Sequence, residues 1–350
     1  MNKCKKAICL ALSVCLLGTL AACTAPEKTT DPVTETPTQE PTETPMPQDE
    51  PVTVTDQAGR EVTVESDPQT IVSGYYISSS MLLALGEKEQ LAGVESKAET
   101  RQIYELCGLD VGKVGGYGTK KAFETEKAAL LSPDLIVLPY SLRTEADEIS
   151  LICDAPVLVV NPEDDALMRQ DLRMLGAVTR NAERAEELIG YIDGALAEVT
   201  DGIEAEQLPT VYLAGVSGLL TTAGAKMYQN TLLVNAKCEN VAASLEDTSW
   251  ASVDYEQLLV WNPDYIVIAA ESALTEEEVL SDPNLADLNA VKEGNVFKMP
   301  VSYEAWDSPV PSAFLGSLWT VSAVYPEQYS QEEFEATVTE FYEIFYGVEA

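Results

Sequence analysis

The chain has 350 residues, 58 acidic against 21 basic side chains, a net charge of −37 and no histidine. Without imidazole, Ser-His-Asp and Cys-His catalysis and His-ligated zinc or heme are excluded. Nucleic acid is excluded as a partner, because a phosphate backbone needs a basic face. The 46% apolar content still supports a folded core, and the length suits about two domains.

The N-terminus reads as a signal peptide over residues 1–22. Lys3, Lys5 and Lys6 precede an apolar run from Ala7 to Cys23, broken only by Ser13, Gly18 and Thr19. That run is short for a bilayer span, which takes about 20 residues. It ends in Leu20-Ala21-Ala22-Cys23, which resembles the bacterial lipobox. The resemblance implies that Cys23 becomes a lipidated (palmitate-bearing) N-terminus on the outer face of the cell membrane. Cys4, Cys9 and Cys15 leave with the signal. Cys107, Cys153 and Cys238 remain, without CxxC spacing, and are expected as buried thiols, with one disulfide left open.

Residues 24–51 hold seven Pro, eight Thr and seven Asp or Glu in 28 positions. Such a segment buries too little apolar surface to offset ordering entropy. It reads as a tether reaching at most about 90 Å in polyproline form.

Next, Val52-Thr-Val54 and Val62-Thr-Val64 alternate about an Asp56-Gln-Ala-Gly59 turn, which predicts a hairpin. A short strand at Thr70–Ser73 and a helix at Ser78–Leu85, stopped by Gly86, follow. Leu135–Leu138 and Val157–Val160 are continuous apolar runs, the pattern of parallel strands covered on both faces. Apolar residues from Ala182 to Ile203 recur at helical spacing and predict one long helix. Beyond Pro209, strands are predicted at Val211–Ala214, Tyr265–Ile268 and Val296–Met299. Helices are predicted at Tyr228–Val234, Pro311–Val324 and Gln331–Tyr346.

The two halves echo one another. Glu124–Val137 aligns with Asp254–Val267 at a constant offset of 130 residues, each a short helix, a Pro-Asp turn and a buried strand. The predicted fold is α/β: two similar lobes joined by one long helix. Its parts are the signal peptide (1–22), the anchor and tether (23–51), an N-terminal lobe (52–181), a bridging helix (182–206) and a C-terminal lobe (207–350).

Four stretches, Thr53–Val64, Leu131–Val137, Cys238–Ala242 and Ser308–Gly316, add to this order. Together they resemble the substrate-binding lipoproteins of ABC importers, of the iron-siderophore, heme and cobalamin-binding family. The resemblance covers residues 52–346 and implies a helical-backbone metal-chelate-binding fold, with permease and ATPase subunits as partners. It also implies that Glu126 and Glu256, one on each repeat helix, dock against arginines of the permease.

The ligand is expected in the interlobe cleft, on loops that follow strand ends. These loops are rich in aromatics, which suit a chelate or macrocycle. Candidates are Tyr75, Tyr76, Tyr117, Tyr140, Trp250 and Trp306; the resemblance places cleft aromatics at the last four. Arg143 is the candidate cation for an anionic complex, and Glu304 lies beside Trp306 on the last loop. Thr221, Thr222, Lys226, Met227 and Tyr228 form a further candidate loop before a helix, whose hydroxyls and helix N-terminus suit an oxyanion. No catalytic residue, resident cofactor or metal site is expected. The ligand is read as an iron-siderophore or related chelate, with a corrinoid, heme or molybdate-type oxyanion as alternatives. A surface sensor or adhesion module on the same fold is the other class.

Overall fold

The computed structural model describes residues 50–246, 250–301 and 303–348. The signal, Cys23 and all but the last two tether residues lie outside the described residues.

The opening hairpin pairs Val52–Thr55 with Glu61–Val64, Val52 opposite Val64. Its turn is fixed by one buried carboxylate. Asp56 accepts from the amides of Ala58 and Arg60 and from the Arg60 guanidinium, at 3.1 Å from Nε and 2.6 Å from Nη2. The same Asp56 accepts from the Val159 amide, and Arg60 donates to the Val157 carbonyl at 2.7 Å. The hairpin is thereby tied to the edge of the first sheet.

That sheet is parallel, in the order Leu91–Gly93, Ile71–Ser73, Leu135–Pro139, Val157–Val160. Every residue of its last two strands is buried, which is why they read as unbroken apolar runs. The second sheet is also parallel, in the order Glu239–Asn240, Thr210–Ala214, Tyr265–Ile268, Val296–Lys298. The Ala182–Thr200 helix joins the lobes, with Ala185, Leu188, Ile189 and Ile192 buried. At 1.5 Å per residue its 19 residues span about 28 Å. It stops short of the sequence expectation: Asp201 caps it, and Ile203 lies beyond it.

The internal repeat is structural. Asp134 accepts from the amides of Gln69 and Thr70 at the start of one strand; Asp264 accepts from the amide and hydroxyl of Thr210 at the start of another. Ser132 and Asn262, each just before the Pro-Asp pair, both have positive φ, 48° and 44°. Each lobe thus uses a Pro-Asp turn to set the register of neighbouring strands.

The chain closes with helices at Phe314–Val324 and Gln331–Tyr346. The first is buried almost all round, and the second starts with a Ser330–Glu333 capping box. Cys107, Cys153 and Cys238 are free thiols. No described helix is long and apolar enough to cross a membrane.

Candidate ligand-binding site

A glycine stands at the carboxyl end of a strand in each lobe, and an aromatic ring lies on it. A Cβ at Gly74 would stand 2.6 Å from the Phe123 ring, and one at Gly215 would stand 2.5 Å from the Trp250 ring. Gly93 likewise receives the Tyr117 ring, over which Lys127 Nζ lies at 4.3 Å. The missing side chains let these rings lie down on the sheet instead of projecting from it. Tyr117 is accordingly only 6% exposed and belongs to the first lobe's core.

Several other expected contacts also lie in the interior, which corrects their reading as open cleft residues. Tyr76 is in the first helix, not the loop: that helix starts two residues early, at Tyr76, with extended Tyr75 as its cap. The Tyr76 ring packs edge-on against Tyr104, lies under Arg101 at 4.1 Å and donates its hydroxyl to Glu304. Thr222 is fully buried and donates to the Leu213 carbonyl. Tyr228 is 1% exposed, and its hydroxyl has no partner among the described residues. The Trp306 indole is buried edge-on against Phe334 and donates to the Tyr342 hydroxyl at 3.0 Å.

Glu304 is a junction rather than a contact. It accepts from Tyr76 and Ser80 of the N-terminal lobe through one oxygen, and from Ser312 and Tyr342 through the other. Burial pushes its carboxyl above the usual range, and the hydroxyl bonds pull it back.

The residues left open at the strand ends form a pocket of about 400 Å³. Tyr75, Pro139, Tyr140, Ser141, Asn161 and Glu163 line it from one lobe, with Lys120 from the tip of the Gly118–Phe123 hairpin. Lys226 lines it from the other lobe. Lys120 sits 3.4 Å from Glu163, and Lys226 sits 2.6 Å from Glu246. Both lysines are half or more exposed, so these pairs are weak and a ligand can compete for them. Met227 and Trp250 are half-buried, Met227 next to Lys226 in sequence.

The expected cation, Arg143, is exposed and stacks on Tyr140 at 4.3 Å without lining the pocket. Arg101 instead bridges the lobes, 2.6 Å from Glu271. Asp307 is buried near that pair, accepts from the Ala270 amide and is pushed by burial to about 6. The sequence reading missed Lys120, Asn161, Arg101 and Glu271. Asn161-Pro162 directly ends an apolar run and was a legible strand-end signal. Arg101 was not legible, because its neighbouring strand, Leu91–Gly93, is only three residues long.

Glu126 and Glu256 are both exposed on their repeat helices. A larger groove, about 660 Å³, runs between the Ala182–Thr200 and Gln331–Tyr346 helices. No strand end reaches it, and Glu198, Glu333 and Glu340 line it, so the strand-end pocket is the better candidate despite its smaller size. Among the described residues no three His, Cys, Asp or Glu side chains converge to hold a metal ion.

The model of the periplasmic binding protein family matches residues 71–303. The molybdate-binding protein MolA of Haemophilus influenzae is 25% identical over 320 residues, 84% of this chain and 90% of MolA. Its molybdate-bound structure superposes with a TM-score of 0.72 at 22% identity, covering 85% of this chain and 99% of that one. YvrC of Bacillus subtilis, named as an uncharacterized ABC transporter substrate-binding lipoprotein, is 24% identical over 289 residues, 80% of this chain and 88% of YvrC. The structure of Helicobacter pylori CeuE in a Ni-His complex gives a TM-score of 0.73 at 19% identity, covering 85% and 96%. With two-thirds of its length inside that model, the chain belongs to the periplasmic binding protein family and is an extracytoplasmic solute-binding subunit of an ABC transporter.

Proposed function

We propose that the chain captures a small anionic metal species, a molybdate-type oxyanion or a compact anionic chelate, in the strand-end pocket and delivers it to a permease. The observation that carries this is the pair of lysines, Lys120 and Lys226, which line one pocket from opposite lobes. An anion between them is held by both lobes at once, so its binding favours closure. Asn161 and Ser141 supply neutral polar partners, and Tyr75 and Tyr140 supply flat apolar surface. A compact ferric siderophore is the second reading, favoured by these two tyrosines. Heme and corrinoids fit less well, because Tyr76, Tyr117 and Trp306, candidate walls for a macrocycle, are in the core. The likeness to MolA agrees with the oxyanion reading.

In this reading Cys23 carries the lipid anchor, the tether holds the lobes off the membrane, and Glu126 and Glu256 meet the permease. Titration of Trp250 fluorescence and calorimetry would be run with molybdate, tungstate, sulfate, ferric siderophores, heme and cobinamide. Saturable binding of an anionic member is expected, weakened about tenfold by Lys120→Ala or Lys226→Ala and by added salt. A response confined to heme or cobinamide, or affinity indifferent to both lysines, refutes the reading.

A further inference from the structure

The repeat helices carry more than their glutamates. In the Thr125–Ala129 helix, Ala128 is fully buried, while Glu126 and the capping residue Leu130 face solvent one turn apart. In the Tyr255–Trp261 helix, Leu258 is fully buried, while Glu256 and Val260 face solvent one turn apart. Leu130 is 85% exposed and Val260 is 78% exposed. The two pairs are related by the same offset of 130 residues as the Pro-Asp turns.

A single exposed aliphatic residue is ordinary. A glutamate and an exposed aliphatic residue, four positions apart, on equivalent helices of two lobes make a matched pair of surfaces. Among the described residues neither glutamate has an ion-pair partner. Lys127, the nearest cation in sequence, is turned back to the Gly116 carbonyl and the Tyr117 ring. In the second lobe Leu259, 40% exposed, neighbours Val260 on the same helix.

We propose that Leu130 and Val260 are the apolar half of a two-point docking surface for the transporter's membrane permease. Two equivalent surfaces on a two-lobed protein fit a partner built from two equivalent halves. Each half would present a cation to Glu126 or Glu256 and an apolar socket one helical turn further on. The glutamates then set approach and register, and the aliphatic side chains slow dissociation once water is expelled. The inference rests on the reading of Glu126 and Glu256 as permease contacts.

The test uses the full chain and its permease–ATPase complex in lipid nanodiscs, reading docking affinity, ATPase stimulation and, separately, ligand affinity. Leu130→Ser and Val260→Ser are exposed substitutions that leave the fold intact. Each is expected to weaken docking about tenfold, and the pair more strongly, since the sites lie on different lobes. Residual docking keeps its salt dependence, and ligand affinity is unchanged. Glu126→Ala with Glu256→Ala is expected to weaken docking and flatten that salt dependence. If the serine pair docks like the natural chain while the alanine pair fails, the apolar inference falls and the glutamate reading stands. If both pairs dock normally, the glutamate reading itself falls. Dimerisation of the free chain that the serine pair abolishes, with permease docking intact, would give the surface to a second copy and overturn the inference.

Discussion

Asp171 lies under the pocket and should make the protein more stable in mild acid than at alkaline pH. It is fully buried in the Asp165–Val178 helix, and one carboxyl oxygen accepts from the Asn161 amide at 2.9 Å. The other oxygen has no partner among the described residues. Burial, helped by the Asp56 carboxylate, pushes Asp171 from 3.8 to about 7, against the pull of the Asn161 hydrogen bond. The folded value is above the unfolded one, so the folded state binds more protons between about pH 4 and pH 7, and stability falls as pH rises through that window. At about 1.4 kcal/mol per pH unit the full loss is on the order of 4 kcal/mol, of which about 2.5 falls between pH 5 and pH 8. Glu87, pushed by burial to about 7, and Asp307, to about 6, act with the same sign. Asp171→Asn keeps an acceptor for Asn161 and removes the titrating group. Urea unfolding of both proteins across that pH range isolates its part as the difference between the two curves. The variant is expected to gain relative stability as pH rises, by about 2 kcal/mol at pH 8 over its standing at pH 5. A flat difference curve would refute the argument that this carboxyl is held protonated by burial.

Three further outcomes follow from the same contacts. Glu304→Ala leaves the hydroxyls of Tyr76, Ser80, Ser312 and Tyr342 without their shared acceptor, at a cost of about 3–5 kcal/mol in chemical denaturation, with Glu304→Gln intermediate; an unmoved midpoint counts against the junction. Asp56→Ala releases the Arg60 guanidinium and the Val159 amide together and should lower stability by about 3 kcal/mol, whereas Asp147→Ala, which removes only an exposed partner of Arg60, should cost under about 1 kcal/mol. Gly215→Val drives a side chain into the Trp250 ring, so intrinsic emission should shift and ligand-induced quenching should fall; an unchanged spectrum would mean the ring does not rest there.

Much of the architecture was legible because its cause is local. Unbroken apolar runs at Leu135–Leu138 and Val157–Val160 are short and rich in β-branched residues, which favours strands covered on both faces, and the 3.6-residue period from Ala182 marks a helix wherever it docks. The two Pro-Asp elements were visible as text, and their identical strand-stapling role follows from the same residues in the same order. Glu126 and Glu256 came out exposed for the same reason, since helix period fixes which positions face away from the buried Ala128 and Leu258.

The site was less legible, because whether an aromatic ring stands up or lies down depends on a residue far away in sequence. Tyr117 is decided by Gly93, Trp250 by Gly215, and Tyr76 by Arg101 and Glu304. Arg143 and Arg101 differ only in what the tertiary structure puts beside them: Tyr140 of the same loop for one, Glu271 of the other lobe for the other. The sequence by itself therefore determined the longer apolar strands, the bridging helix and the paired repeat, which rest on periodicity and turn chemistry. Only the tertiary structure decided which side chains meet across the lobes, because that depends on the missing Cβ atoms and buried acceptors that fold each ring inward or leave it open.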